Sequence, residues 1–159
     1  MVSKDVSSLL RNFQSAATRL NAESDSVNET ITSIEQRLVD ANVGVEVWLQ
    51  HALLPTDSEE VAYRETSRTI QWLGFAKLDG KWCIAVKSMR ILDGFFEGDT
   101  SSPFRNILAA GDPVRLLSSS RQLRIAALQL LPDLIELLTE EAERCRRAIS
   151  EASQLLTRV

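Results

Sequence analysis

Residues 71–88, QWLGFAKLDGKWCIAVKS, constrain the fold of this chain more than any other stretch. Two alternating runs flank Asp79-Gly80, a dipeptide suited to a two-residue turn whose central residues need φ > 0. That turn sets a register. Lys77 faces Trp82, Ala76 faces Cys83, Phe75 faces Ile84, Gly74 faces Ala85 and Leu73 faces Val86. Side chains alternate across a strand, so the hairpin has two distinct faces. One carries Leu73, Phe75, Trp82, Ile84 and Val86; the other carries Trp72, Gly74, Ala76, Cys83 and Ala85. The first face needs a cover of helices.

Both ends of the chain supply one. Apolar or small residues recur at Leu9/Leu10, Phe13, Ala17, Leu20, Ser24, Val27, Ile31, Ile34, Leu38 and Ala41. This three-four spacing predicts an amphipathic helix over the first forty residues. Its weak point is Asn21 to Asn28, rich in residues that prefer caps. A Ser26/Glu29 capping box offers a restart there, but one long helix is the simpler reading. A second stripe runs through Leu128, Leu131, Ile135, Leu138, Ala142, Cys145, Ile149, Ala152 and Leu156. Ser118 to Ser120 offer N-caps, and Pro132 bends or restarts that helix. Glu140–Arg144 and Glu143–Arg147 are i,i+4 pairs that mark an exposed side.

Between these parts, Val43 to Leu49 alternates as a short strand, with Glu46 and Trp48 on the face opposite the valines and Leu49. Pro55 breaks the next segment, where Thr56 and Glu59 fit a short helix or an irregular excursion. The second hairpin strand continues toward Ile91 and Leu92. Asp93 to Asp112 is rich in Gly, Ser and Pro and reads as a loop, with Ile107 to Ala110 as one helical turn. Its Phe95, Phe96 and Phe104 are expected to pack back onto the body.

The resulting fold class is α+β. A small antiparallel sheet of about three strands, built on hairpin 71–88, packs against long N- and C-terminal helices. The helices are expected to lie antiparallel to each other, with Ile34 and Ile135 both buried. The 159 residues, 44% hydrophobic and 25% charged, suit one soluble domain spanning 1–159.

Charge and cysteine usage narrow the function. The net charge of −4 disfavours nucleic acid and anionic membranes as partners. Residues 1–60 hold four basic residues against ten acids. No apolar run reaches the roughly 20 residues of a membrane span, and Met1 to Leu10 is polar, without a leader pattern. Cys83 and Cys145 lack CxxC spacing and read as reduced thiols, which points to the cytoplasm.

Catalytic chemistry is hard to place. His51 is the one histidine and has no ligand-spaced Cys, His or carboxylate near it. Gly94, Gly98 and Gly111 are too scattered for a phosphate loop. Cys83 falls in a strand and Cys145 on a helix stripe, so both read as packed thiols. No catalytic residue, metal site or cofactor is therefore assigned.

Two function classes remain. The first is a non-enzymatic cytosolic protein-interaction or oligomerisation domain, of the chaperone-, antitoxin- or immunity-like kind, with a protein partner or a second copy in a homodimer. Its candidate contact residues are Trp48, Trp72, Gly74, Ala76, Cys83 and Ala85. A solvent-facing sheet surface normally carries polar side chains; here it is small and apolar between two large rings. The alternative is a small-molecule or anion binder, or an enzyme. Its pocket would lie near Trp48 and Trp72, with Arg115, Arg121 and Arg124 taking the anion. Basic residues at a helix N-terminus oppose its dipole unless they meet a partner.

Overall fold

In the computed structural model, which describes residues 5–62, 64–96, 98 and 102–157, the Asp79-Gly80 turn forms as the sequence predicts. Both residues have positive φ, 48° and 79°. Strands β3 (Glu65–Leu78) and β4 (Lys81–Phe95) extend from it. All five predicted pairs are in register, from Lys77↔Trp82 to Leu73↔Val86.

The sheet has six strands, not about three. Strand β1 (Val47–Trp48) pairs with β3 at Val47↔Phe75 and Trp48↔Gly74. Strand β2 (Glu59–Ala62) pairs with β3 farther from the turn, where a short helix or excursion was expected. Along the other side of the hairpin, β5 (Pro103–Ala109) pairs with the far end of β4, and β6 (Val114–Arg115) pairs with it nearer the turn. Thus Ile107 is a strand residue opposite Ile91, not part of a helical turn. Of the strand expected over Val43 to Leu49 only Val47–Trp48 forms, and β6, at two residues, is too short to alternate. Strand β2 is fully exposed, so burial imposes no pattern on it either. Thr100 and Ser101, read as turn formers, lie outside the described residues, as do residues 1–4.

Helix α1 (Val6–Ala41) runs unbroken through the Asn- and Ser-rich stretch. Just after it, Thr30 and Thr32 donate their hydroxyls to the carbonyls of Ser26 and Asn28, so these two side chains bond within the helix rather than against it. Asp5 caps its start and Asn42, in the left-handed region, ends it. After β6 a single 3-10 turn, Leu116–Ser118, leads to Ser120, whose hydroxyl accepts from the Leu123 N–H. That cap opens α2 (Arg121–Leu156), which continues through Pro132.

The main core lies between the helices and the turn half of the hairpin. Leu73, Phe75, Ile84 and Val86 meet Ile31 of α1, Leu116, and Ala127, Leu131, Leu134 and Leu138 of α2. Phe75 and Trp82 stack with centroids 5.4 Å apart. Farther from the turn the buried face switches. Ile70, Trp72, Met89 and Ile91, all on the opposite face, are buried there. One long hairpin thus serves the main cluster on one side and, on the other, the Trp72 cluster together with the smaller group Ala76, Cys83 and Ala85.

The helices do not pack as expected. Arg121, the first residue of α2, donates to Asn21 Oδ1, in the middle of α1. An antiparallel pair joined at that contact would lay residues 6–20 along the body of α2. Instead Val6, Leu9, Leu10, Phe13 and Leu20 are exposed, so the two helices do not lie antiparallel side by side. Ile135 is also exposed, while its neighbour Leu134 is fully buried and Ile34 is half-buried. The core-facing line of α2 runs 127, 131, 134, 138, which turns Ile135 outward.

Candidate functional site

Gly74 builds the second face of the sheet. It has no side chain, so the Trp48 ring lies directly on it. A Cβ there would stand 2.5 Å from Trp48 Cδ2 and from the Val47 carbonyl. The ring also packs on Ala76, Cys83 and Ala85 on one side and on the Trp72 cluster on the other. Lys87, directly across from Trp72, carries its ammonium 4.2 Å above the Trp48 ring and 5.4 Å from that of Trp72. Trp48 Nε1 donates to Glu46 Oε1 at 2.6 Å. Burial against the rings pushes Lys87 below the ordinary lysine range, and Glu46 partly opposes this.

This geometry places the sequence-predicted contact residues. Trp72, Gly74, Ala76, Cys83 and Ala85 are buried within the chain, and Trp48 is half-buried. Around Gly74, what the second face offers to solvent is the outer side of Trp48 and the Lys87 stem. The phenylalanines lie elsewhere. Phe104 sits across from Gly94 and packs on Phe96, at the far end of the sheet from Gly74.

The three arginines each have a partner in the chain. Arg121 holds Asn21, and Arg124 donates to the Leu117 carbonyl at 3.4 Å. Arg115 pairs with Glu35 through both Nε and Nη2. Arg121 and Arg124 belong to the helical layer, while Trp48 and Trp72 lie on the opposite face of the sheet. The structure does not bring the tryptophans and these arginines into one pocket.

Sequence reasoning missed Glu35. It lies on the buried side of α1 and its side chain is 7% exposed. Its Oε2 accepts the Ile84 N–H at 2.9 Å, beside the short strand β6. A buried backbone donor without a strand partner costs as much as a lost hydrogen bond, and Glu35 supplies the missing acceptor. Arg115 then balances the carboxylate, which pushes the guanidinium further up. The only signal in the sequence is an acid on the apolar side of a helix, one residue after Ile34. The pair forms one wall of an open cleft of about 1380 Å³ that also includes Trp82 and the turn residues Asp79 and Gly80. Cys83 lines it too. Burial pushes its thiol up, and the nearby Glu35 charge adds to this. A protonated thiol is a poor nucleophile.

Both helices carry exposed apolar residues. On α1, Val6, Leu9, Leu10, Phe13 and Leu20 continue the line that Ile31 and Leu38 bury in the core, yet Phe13 is 68% exposed and Val6 66%. On α2, Ile149, Leu155 and Leu156 are equally free. Scattered apolar residues on a surface need no explanation, but a contiguous stripe does. Among the described residues, no helix is long and apolar enough to cross a membrane. No family model, no curated protein and no solved structure matches this chain.

Proposed function

We propose that this chain is a non-enzymatic protein-interaction domain, cytoplasmic, with the solvent-facing stripe of α1 as its docking surface. The single observation that carries this reading is the continuity of that stripe. The same three-four spacing that buries Ile31 in the core runs on through Leu20, Phe13, Leu10 and Val6, all exposed, with no described residue covering them. A helix presenting apolar residues at i, i+3, i+4 and i+7 is the usual ligand of an apolar groove or of another helix. Two free cysteines, one of them buried, suit a reducing compartment. The half-exposed Trp48 ring under Lys87 offers a second, smaller contact.

The test is affinity capture from source lysate with the full chain and with Phe13→Glu/Leu20→Glu. Both residues are exposed, so the variant should keep its circular dichroism and its melting temperature. Loss of captured proteins by the variant alone is the expected result. Identical capture by both would overturn the reading.

A further inference from the structure

The free stripe of α1 is self-complementary, and we infer that its partner is a second copy of this chain, docked antiparallel through residues 5–20. This rests on the interaction reading above and names the occupant of the same surface.

At 100° per residue the free segment of α1 resolves into columns. Val6, Phe13 and Leu20 form the central one, seven residues apart. Leu10 and Ala17 flank it on one side, and Leu9 and Ala16 on the other. Beyond Leu9 and Ala16 comes a polar column of Asp5, Asn12 and Arg19. A two-fold axis perpendicular to the helix and passing beside Phe13 brings like columns together in opposite directions. Phe13 then meets the second copy's Phe13, and Val6 meets its Leu20. On both flanks a large side chain meets a small one: Leu10 opposite the second copy's Ala17, and Leu9 opposite its Ala16. Alternating large and small residues across a contact is what lets two surfaces interdigitate. At the rim, Asp5 meets Arg19 of the second copy, and Arg19 meets its Asp5. Within the chain Asp5 accepts from the Ser7 N–H through Oδ1, and Arg19 holds Ser15 Oγ at 3.4 Å. The second oxygen of Asp5 and the remaining donors of Arg19 are free for that exchange. No like charges oppose each other on these columns.

The direction follows from the chain's own core. From Ser24 onward the stripe is filled by the sheet and α2, so a parallel second helix would run into that core and the two bodies would collide. An antiparallel helix ends where the core begins. A contact of about 24 Å between two helices falls in the size class under about 1,200 Å² that characterises weak or transient complexes. Dissociation in the micromolar range is therefore expected.

The full chain should pass from 17.7 kDa to twice that mass between low micromolar and several hundred micromolar in sedimentation equilibrium. Phe13→Arg should remain a folded monomer throughout, its dissociation constant raised more than tenfold. In a Cys83→Ala/Cys145→Ser background, Phe13→Cys should form a disulfide-linked dimer on mild oxidation. Val6→Cys alone should not, whereas a mixture of Val6→Cys with Leu20→Cys should. The inference is overturned by a wild-type chain that stays monomeric, by a dimer that survives Phe13→Arg, or by Val6→Cys linking to itself. If the wild type is monomeric but Phe13→Glu/Leu20→Glu still loses captured proteins, only the second-copy inference falls. If capture is also unchanged, the interaction reading falls with it.

Discussion

The two halves of α1 carry one pattern and meet opposite fates. Val27, Ile31, Ile34 and Leu38 continue the spacing of Val6, Phe13 and Leu20 without a break, yet the first group packs in the core and the second faces solvent. Helix propensity and periodicity are alike in both. The difference is what lies opposite: the turn half of the hairpin, Leu116 and α2 in one case, and none of the described residues in the other. The same split recurs on α2, where Leu131, Leu134 and Leu138 are covered and Ile149 and Leu156 are not. Periodicity declares which side of a helix wants burial; the chain elsewhere decides whether that side is buried.

The contrast is broken most directly by truncation in both halves. Ile31→Ala removes a fully buried side chain between sheet and helices, and should cost about 2–5 kcal/mol in denaturant unfolding. Phe13→Ala, at dilutions where the chain is a monomer, should stay within about 0.5 kcal/mol of the parent. Equal losses would mean that residues 6–20 pack on the body after all.

Neighbouring residues on α2 sharpen it. Leu134 is fully buried and Ile135 is 39% exposed. Leu134→Ala is expected to lower stability by about 2–5 kcal/mol, and Ile135→Ala by less than about 1 kcal/mol. A reversal of that order in paired urea titrations would require α2 to be rotated by one residue from its observed seating.

These pairs also mark where the sequence was readable. The hairpin register was legible because Asp79-Gly80 fixes the turn and the alternation on both sides agrees with it. The helices were legible through Ser120 and the two stripes. Strand β5 was hidden because its seven residues pair through one edge only and all but the half-buried Phe104 stay exposed, so burial wrote no alternation into Arg105-Asn106-Ile107-Leu108. Ile135 was misread because a stripe fixes a face only to within one residue per turn. The contact residues on the second sheet face were recognisable as small and apolar, but not that Trp48 of the same chain would lie on Gly74. Nothing in the spacing marked Glu35 as the acceptor for Ile84, since that role depends on strand β6 ending at Arg115.

Within the covered half of α1, Glu35 separates packing from polar satisfaction. Glu35→Leu leaves the Ile84 N–H buried without an acceptor and should cost about 1–3 kcal/mol. Glu35→Gln retains a carbonyl oxygen for that donor and loses only the charge on Arg115, whose side chain is half exposed. It should cost roughly 1 kcal/mol or less, because solvent screens such a pair. If Gln proved as damaging as Leu, the ion pair rather than the backbone contact would be the stabilising element.

The smallest effect is the most diagnostic of the cover itself, because it compares the two cysteines. Cys83 is buried on the second sheet face beneath the cluster that Trp48 closes, while Cys145 is half-buried on the free part of α2. Alkylation needs a thiolate and access. Cys83 lacks both, since burial and the Glu35 charge push its thiol above the ordinary value of 9.0. Iodoacetamide at pH 8 should therefore modify Cys145 first, with Cys83 at least about tenfold slower, limited by opening of the sheet. The same shift gives stability a pH slope. Above pH 9 the unfolded chain releases this proton before the folded one does. The folded state then binds more protons, and stability falls as pH rises through that window. Cys83→Ala should flatten that part of the profile. Trp48→Ala removes the ring over Gly74 and should raise the Cys83 rate toward that of Cys145, leaving Cys145 unchanged. If Cys83 already reacts as fast as Cys145 in the parent chain, then Trp48 does not close the second face, and that face joins the uncovered half of α1 as open surface.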